Sequence, residues 1–439
     1  MVHNSMSSFL VAAPKSNSGK TMVTLGLMHA LVKRGFKVQP FKCGPDYIDP
    51  MHHTKIAGKS SYNLDLWMSS AEHVQDVFKK QSRDADVAIA EGVMGLFDGA
   101  KKDEGSSAAV ARLLHMPVVL VVDASSTAYS VAPLLYGFKN FDTRIKLAGV
   151  IFNKVASESH FQFLKEASID AGVDVLGYLP RDERLHIESR HLGLHLPGEN
   201  KNLKIVGVAA ELLEQKVDID LLLSLSKREE MTIASTQDRA GGKLRIAMAH
   251  DEAFSFSYSA NRDVLLQLGD VKEFSPLHDN ALPEADLVWL PGGYPELFAQ
   301  ELSENGAMRR AIISYIDSGK ALIAECGGMM YLGNKLIQKN GEAFEMCGVF
   351  DFDTSFEHMK LHLGYRELLG HSMAVRGHEF HYSRLIGKEK GSAEFQVKTA
   401  RNKTAEMAVF REKNCWASYM HLYLGEKEKM QQLLNELGL

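Results

Sequence analysis

Along the first half of the chain, short and mostly apolar runs alternate with amphipathic stretches. The runs fall at Phe9–Ala13, Val38–Cys43, Val87–Ala90, Val118–Val122 and Leu147–Phe152, each followed by turn residues or a helical pattern. Runs of this length suit strands buried on both faces, and the helical patterns suit crossovers, so βαβ units around a parallel sheet are predicted. Between them, Lys20–Arg34 places Val23, Leu27 and Leu31 on one side of a helix, and Gly35 stands where a C-cap belongs. The rhythm lapses between about Leu223 and Lys243, where charged and small residues recur without period. It resumes at Leu244–Ala249 and continues through Leu287–Leu290 and Ala321–Ala324. After about Gly341 the period shortens toward antiparallel strands, with more Gly, His and aromatic residues. The pattern predicts two α/β domains, 1–225 and 244–439, joined by a linker at 226–243.

Length and composition narrow the class. A chain of 439 residues exceeds the usual size of one hydrophobic core, and 45% apolar with 24% charged residues is ordinary globular usage. A net charge of −5 argues against a dedicated nucleic-acid or anionic-membrane binder, while leaving room for a local basic pocket. The four cysteines, Cys43, Cys326, Cys347 and Cys415, make neither a disulfide framework nor a C-x-x-C metal pair. No Lys or Arg precedes Lys15, and no apolar run approaches bilayer length, so a cytoplasmic setting is expected.

Two stretches carry chemistry. The first is Ala13-Pro14-Lys15-Ser16-Asn17-Ser18-Gly19-Lys20-Thr21, lying between the first strand and the first helix. Backbone N–H groups in such a loop wrap phosphates, and the helix N-terminus adds partial positive charge. Ser18, Gly19, Lys20 and Thr21 are the expected ATP contacts, with Lys20 reaching the β- and γ-phosphates and the Thr21 hydroxyl ligating Mg2+. Pro14 replaces the glycine that usually opens this loop, which stiffens its entry. Glu91, at the C-terminal end of a buried strand, is a second candidate for the hydrated metal, and Asn153, after the strand at Leu147–Phe152, for the adenine. Pro40-Phe41-Lys42-Cys43-Gly44-Pro45-Asp46-Tyr47-Ile48-Asp49-Pro50 holds two carboxylates three residues apart in a loop stiffened by prolines. Opposite a γ-phosphate, Asp46 would complete the metal shell and Asp49 would position a substrate.

The second stretch is Glu325-Cys326-Gly327-Gly328, where a strand-like run turns into a helix start. A cysteine there gains exposure, a thiol pKa lowered by the helix N-terminus, and the Gly327 N–H as an oxyanion donor. Gly293, in Pro291-Gly292-Gly293, is the candidate second donor, and His421, after a short apolar run, the general base. Cys43, Cys347 and Cys415 are expected in the core.

Together these motifs resemble the cobyrinate a,c-diamide synthase family over essentially the whole chain. Asn63-Leu64-Asp65, the run from Glu91 through Asp98 to Gly99, and His378-Glu379-Phe380-His381-Tyr382 also match that family's pattern. The resemblance implies a dethiobiotin-synthetase-type P-loop half and a class I glutamine amidotransferase half like that of cobyric acid synthase. It implies that Cys326 attacks the glutamine amide with His421 activating it, and that Tyr47, Asp49 and Asp98 lie toward the substrate. Tyr423 occupies the position where many class I enzymes carry a Glu, so no third triad member is assigned. The implied reaction is ATP-dependent amidation of two acetate arms of a tetrapyrrole through an acyl phosphate, with Mg2+, ATP and glutamine taking part. Cobyrinate, hydrogenobyrinate and nickel-sirohydrochlorin are all open as the macrocycle. Neither nucleic acid nor membrane is an expected partner, and a homodimer is the common case for such folds. A partitioning-type switch ATPase, suggested by Lys15, is the rival from another class; a fused amidotransferase half argues against it.

Overall fold

The computed structural model describes residues 6–185, 189–190, 193–194, 200–228, 243–387, 391–392 and 394–439. The chain divides into two compact units, Met1–Ser235 and Thr236–Leu439. In the first, seven strands make one sheet: β1 (Ser7–Ala12), β2 (Val38–Cys43), β3 (Tyr62–Leu64), β4 (Val87–Glu91), β5 (Val118–Asp123), β6 (Leu147–Val155) and β7 (Val175–Pro180). Their order is β3-β2-β4-β1-β5-β6-β7, and every pairing is parallel. The chain runs from β1 outward to β2 and β3, returns to insert β4 beside β1, then moves off the other way. Ligand crevices open at such reversals, beyond the carboxyl ends of the strands. The three strands bordering this one end at the phosphate loop, at the Gly44–Asp46 turn and at Glu91.

Burial on both faces explains the apolar strand runs. Phe9, Val11, Ile89, Val119 and Val121 pack with Val23, Leu27 and Leu31 of the helix Lys20–Lys33. Leu120, Val122, Val150 and Phe152 pack on the other side with Val131, Leu135 and Leu164. Glu91 ends β4, as expected, whereas β6 continues to Val155, so Asn153 lies within a strand rather than after one. A minor hairpin, β8 (Ser189–Arg190) and β9 (Gly193–Leu194), follows β7.

Part of the expected linker belongs with the first unit. The Ser8 N–H donates to Ser226 O, the Arg228 N–H donates to Met6 O, and Lys227 bridges Ser7. The rest of it, 229–242, lies outside the described residues.

The second unit is built from β10 (Leu244–Ala249), β11 (Gly269–Phe274), β12 (Leu287–Leu290), β13 (Ala321–Glu325), β14 (Lys335–Ile337), β15 (Ala343–Glu345), β16 (Phe352–Ser355), β17 (His362–Leu369), β18 (Ala374–His381), β19 (Arg384–Gly387), β20 (Gln396–Thr399), β21 (Val409–Glu412), β22 (Cys415–Ser418) and β23 (Met420–Tyr423). A six-stranded sheet runs β11-β10-β12-β13-β22-β21, parallel except for β21–β22. Two four-stranded sheets, β15-β14-β16-β19 and β20-β17-β18-β23, supply the mainly antiparallel pairings expected after Gly341. Among the described residues no helix is long and apolar enough to cross a membrane.

Candidate active sites in the two units

In the first unit, the loop after β1 turns through Asn17 (φ 62°) and Gly19 (φ 88°), a left-handed backbone that glycine adopts without strain. A Cβ on Gly19 would overlap the Asn153 amide, whose Nδ2 donates to Ser18 O at 3.0 Å. Asn153 therefore braces the phosphate loop from β6. The Ser18 hydroxyl closes the turn onto Lys15 O at 2.9 Å.

Glu91 is the hub of the site. It is fully buried; Thr21 Oγ1 donates to its Oε1 at 2.6 Å and Lys42 Nζ at 3.1 Å, while His53 Nε2 lies 2.8 Å from Oε2. Burial alone would raise this carboxyl, but Lys42, His53 and Thr21 together hold it below the usual carboxylate range. Lys42 is buried too, and also meets Asp49 and, at 3.6 Å, Asp46. Burial disfavours its charge, but Asp49, Glu91 and Asp46 outweigh that and hold the ammonium firmly protonated. Asp49 is pushed the other way, well above the carboxylate range, by burial and by the charges of Asp46 and Glu91. Three carboxylates thus crowd one lysine, an arrangement short of positive charge. Lys20 donates to Met94 O at 2.6 Å; burial lowers its pKa.

Asp46 Oδ1 accepts from the N–H groups of Ile48 and Asp49 at 2.9 and 3.1 Å, an Asx turn that leads into the helix Ile48–Ala57. That leaves Oδ2 toward Lys42. Tyr47 is buried at the head of the same helix. Asp98 is exposed and accepts from the Gly95 N–H at 2.9 Å, tying the turn after β4, and its charge reaches Lys20.

In the second unit, Cys326 sits between β13 and the helix Gly327–Leu332 with φ 45° and ψ −101°, a strained backbone for a residue with a side chain. Its N–H donates to Ser418 O at 2.7 Å, and the Gly327 N–H is directed at its sulfur. His421 lies on β23. A Cβ on Gly292 would overlap the His421 ring, stand 3.0 Å from its Nδ1 and 3.4 Å from Cys326 Cβ. Cysteine and histidine thus converge on one glycine. The Gly293 nitrogen would lie 3.0 Å from a Cβ on Gly327, which brings the two proposed oxyanion donors side by side.

Behind His421, where an acid was not expected, the structure places another imidazole. His378 pairs with it across β18–β23, the rings stacking at 4.9 Å and 19°, and His378 Nδ1 is 2.9 Å from the Tyr258 hydroxyl. Burial keeps both imidazoles below their ordinary pKa, His378 at about 3, so neither is protonated near neutrality. The expected lowering of the Cys326 thiol pKa is corrected. Burial, with Glu296 adding to it, pushes the thiol up, because the six-residue helix cannot offset the loss of water around the sulfur. At rest the pair is a neutral thiol beside a neutral imidazole.

Comparison with known proteins agrees with both halves. Residues 245–429 match the model of a CobB/CobQ-like glutamine amidotransferase domain, and residues 9–194 that of a CobQ/CobB/MinD/ParA nucleotide binding domain. Cobyrinate a,c-diamide synthase of Picrophilus torridus is 39% identical, over 97% of this chain and 98% of its own. That of Salmonella typhimurium is 40% identical, over 97% and 96%. The chain belongs to the cobyrinate a,c-diamide synthase family. Hydrogenobyrinate a,c-diamide synthase of Brucella abortus is as similar, 41% identical over 95% of this chain and 98% of its own.

For this family member, the residues singled out from sequence fall into two groups. Ser18, Gly19, Lys20, Thr21, Asp46, Tyr47, Asp49, Glu91 and Asn153 gather around one crevice, with Asp98 at its rim; Cys326, Gly293, Gly327 and His421 form the second. Sequence reasoning missed Lys42, His53, His378 and Glu325. Lys42 was visible inside the Pro40–Pro50 stretch, but it lies on β2, and its acidic partners lie 49 residues away and in the turn and helix that follow. His53 carried no local signal at all. Glu325 Oε1 accepts from the Leu422 N–H at 3.0 Å, bolting the strand of the cysteine to the strand of the histidine. Cys43, Cys347 and Cys415 are buried and free, as expected.

Proposed function

We propose that this chain uses ATP to amidate the a- and c-acetate carboxylates of cobyrinate, taking ammonia from glutamine. The observation that carries the reading is the pairing of two sites in one chain: a phosphate loop whose threonine donates to a buried carboxylate, and a cysteine facing a histidine at a strand–helix elbow. The relatives' names support the choice of corrin acetate arms.

A carboxylate resists attack by ammonia, because charge would pile on charge. Transfer of the γ-phosphoryl of ATP makes an acyl phosphate, and ammonia then displaces phosphate. Lys20 and the amides of Ser18, Gly19 and Thr21 hold the phosphates, while Lys42 stays paired with Asp46, Asp49 and Glu91 and fixes where they point. Asp49 orients the substrate arm, with Tyr47 and Asp98 on the same side. The oxygen-rich, under-neutralised set of Asp46, Glu91 and the Thr21 hydroxyl fits Mg2+. Bound there, the ion supplies charge neutralisation of the phosphates.

In the second site His421, neutral at working pH, takes the thiol proton as Cys326 attacks the glutamine amide carbon. The N–H groups of Gly293 and Gly327 receive the oxyanion, and His421 returns the proton to the departing ammonia.

Mass spectrometry after incubation with ATP, Mg2+, glutamine and one macrocycle at a time tests this. Two amidations on cobyrinate are expected. Diamidation of hydrogenobyrinate or nickel-sirohydrochlorin alone would keep the chemistry and reassign the substrate, and no product with any of them would refute the reading.

A further inference from the structure

Beside the glutamine site, the sheet β20-β17-β18-β23 carries a second group of side chains that the mechanism above does not use. We propose that His362, Glu379 and His381 form a binding site for a borderline divalent cation of the zinc class. One ligand atom from each, two imidazole nitrogens and a carboxylate oxygen, all lie within 4.8 Å of one another. The strands dictate this meeting. His362 on β17 stands directly opposite His381 on β18, and Glu379, two residues before His381, projects from the same face.

The hydrogen bonds around the group are those of a metal's outer shell. His381 Nδ1 lies 2.9 Å from Ser383 O, so that nitrogen must carry the proton, since a carbonyl only accepts. Its other nitrogen, Nε2, faces the cluster and lies 3.0 Å from Glu379 Oε1. The ring cannot turn away. It stacks on His362 at 4.8 Å and 1°, and on Tyr419 at 3.5 Å and 5°, with the Tyr419 hydroxyl 2.8 Å from Ser383 Oγ. The second oxygen of Glu379 is 2.5 Å from Arg366, which fixes the carboxylate and, by its own charge, weakens the site. A backbone carbonyl behind a histidine and a cation behind a carboxylate are the partners that orient metal ligands.

The donor set decides the class of ion. Two imidazoles and one carboxylate suit zinc and its neighbours, whereas Mg2+ prefers all-oxygen shells. Three protein ligands leave a fourth position open. Glu379 and His381 are buried and His362 is partly exposed, which gives an entry path.

The test uses the full chain stripped with chelator, and Zn2+ alone titrated against a chromophoric competitor in millimolar Mg2+. One zinc per chain is expected. His362→Ala should weaken uptake about 10- to 100-fold, as loss of a ligand or its partner does. Cys326→Ser should bind as the unmutated chain does, and X-ray absorption of the complex should show two imidazoles. His362→Asn serves if the alanine variant does not fold. No uptake by the unmutated chain, equal uptake by the His362 variant, or loss of uptake in Cys326→Ser would each overturn the proposal.

Discussion

At the scale of single residues, Lys42 and Gly292 matter through what lies against them. Lys42 is set among Asp46, Asp49 and Glu91, and both it and Glu91 are buried. Removing one partner of a buried ion pair leaves charge uncompensated, at a cost of about 3–5 kcal/mol. Lys42→Met should therefore lower the stability of the first unit by about that amount. Mg2+ should restore part of it, more than it stabilises the unmutated chain, because the ion binds only the folded carboxylate cluster. Denaturant melts with and without Mg2+ check this; an unchanged midpoint would contradict it. Gly292 is the second case. Any Cβ there overlaps the His421 ring, so Gly292→Ala should cut glutamine-dependent synthesis at least about 100-fold by misplacing the base. Synthesis from ammonium salts should stay within about twofold, and parallel assays with the two nitrogen sources would show it. Neither residue's role was legible from its neighbours in sequence. Lys42 lay in plain view without Glu91, and Gly292 stood only as the neighbour of Gly293, because contact with His421 spans more than a hundred positions.

At the scale of elements, the elbow after β13 depends on Glu325. Its carboxyl accepts from Leu422 on β23 and interacts with the buried Trp289, and burial pushes its pKa up to about 8. The folded chain therefore binds a proton here that the unfolded chain, with an ordinary carboxyl, releases near pH 4.5. A raised folded pKa contributes stability that is complete below the unfolded value and lost as pH rises toward 8. Glu325→Gln keeps the acceptor without the charge. It should flatten the fall in stability between pH 5 and 8 and leave the variant roughly 1–3 kcal/mol more stable at the upper end. Unfolding measured across that range would show no fall to flatten if Glu325 were ionised in the fold, since neither state would then bind a proton there. The same element explains the corrected thiol. A longer, solvent-open helix start would have lowered the Cys326 pKa, but this one is short and dry.

At the scale of the whole molecule, the division of labour is itself a prediction. Cys326→Ser should abolish glutamine-dependent synthesis while ammonium salts still support it, because the phosphate site lies in the other compact unit. Loss of both activities in a folded variant would remove Cys326 from the role given to it. What the sequence determined alone was whatever depends on neighbours in the chain. Short apolar runs and period-3.6 patterning placed strands and helices, and glycine at a left-handed turn marked the phosphate loop. Glycine after cysteine marked the elbow. These follow from backbone sterics and local burial, which act over a few residues. Only the tertiary structure decided which charges face one another. The parallel order β2-β4-β1 brings Lys42, Glu91 and Thr21 to one crevice, and the β18–β23 register stacks His378 on His421. Electrostatics and ring contacts fall off with distance in space, and the chain's numbering does not record that distance.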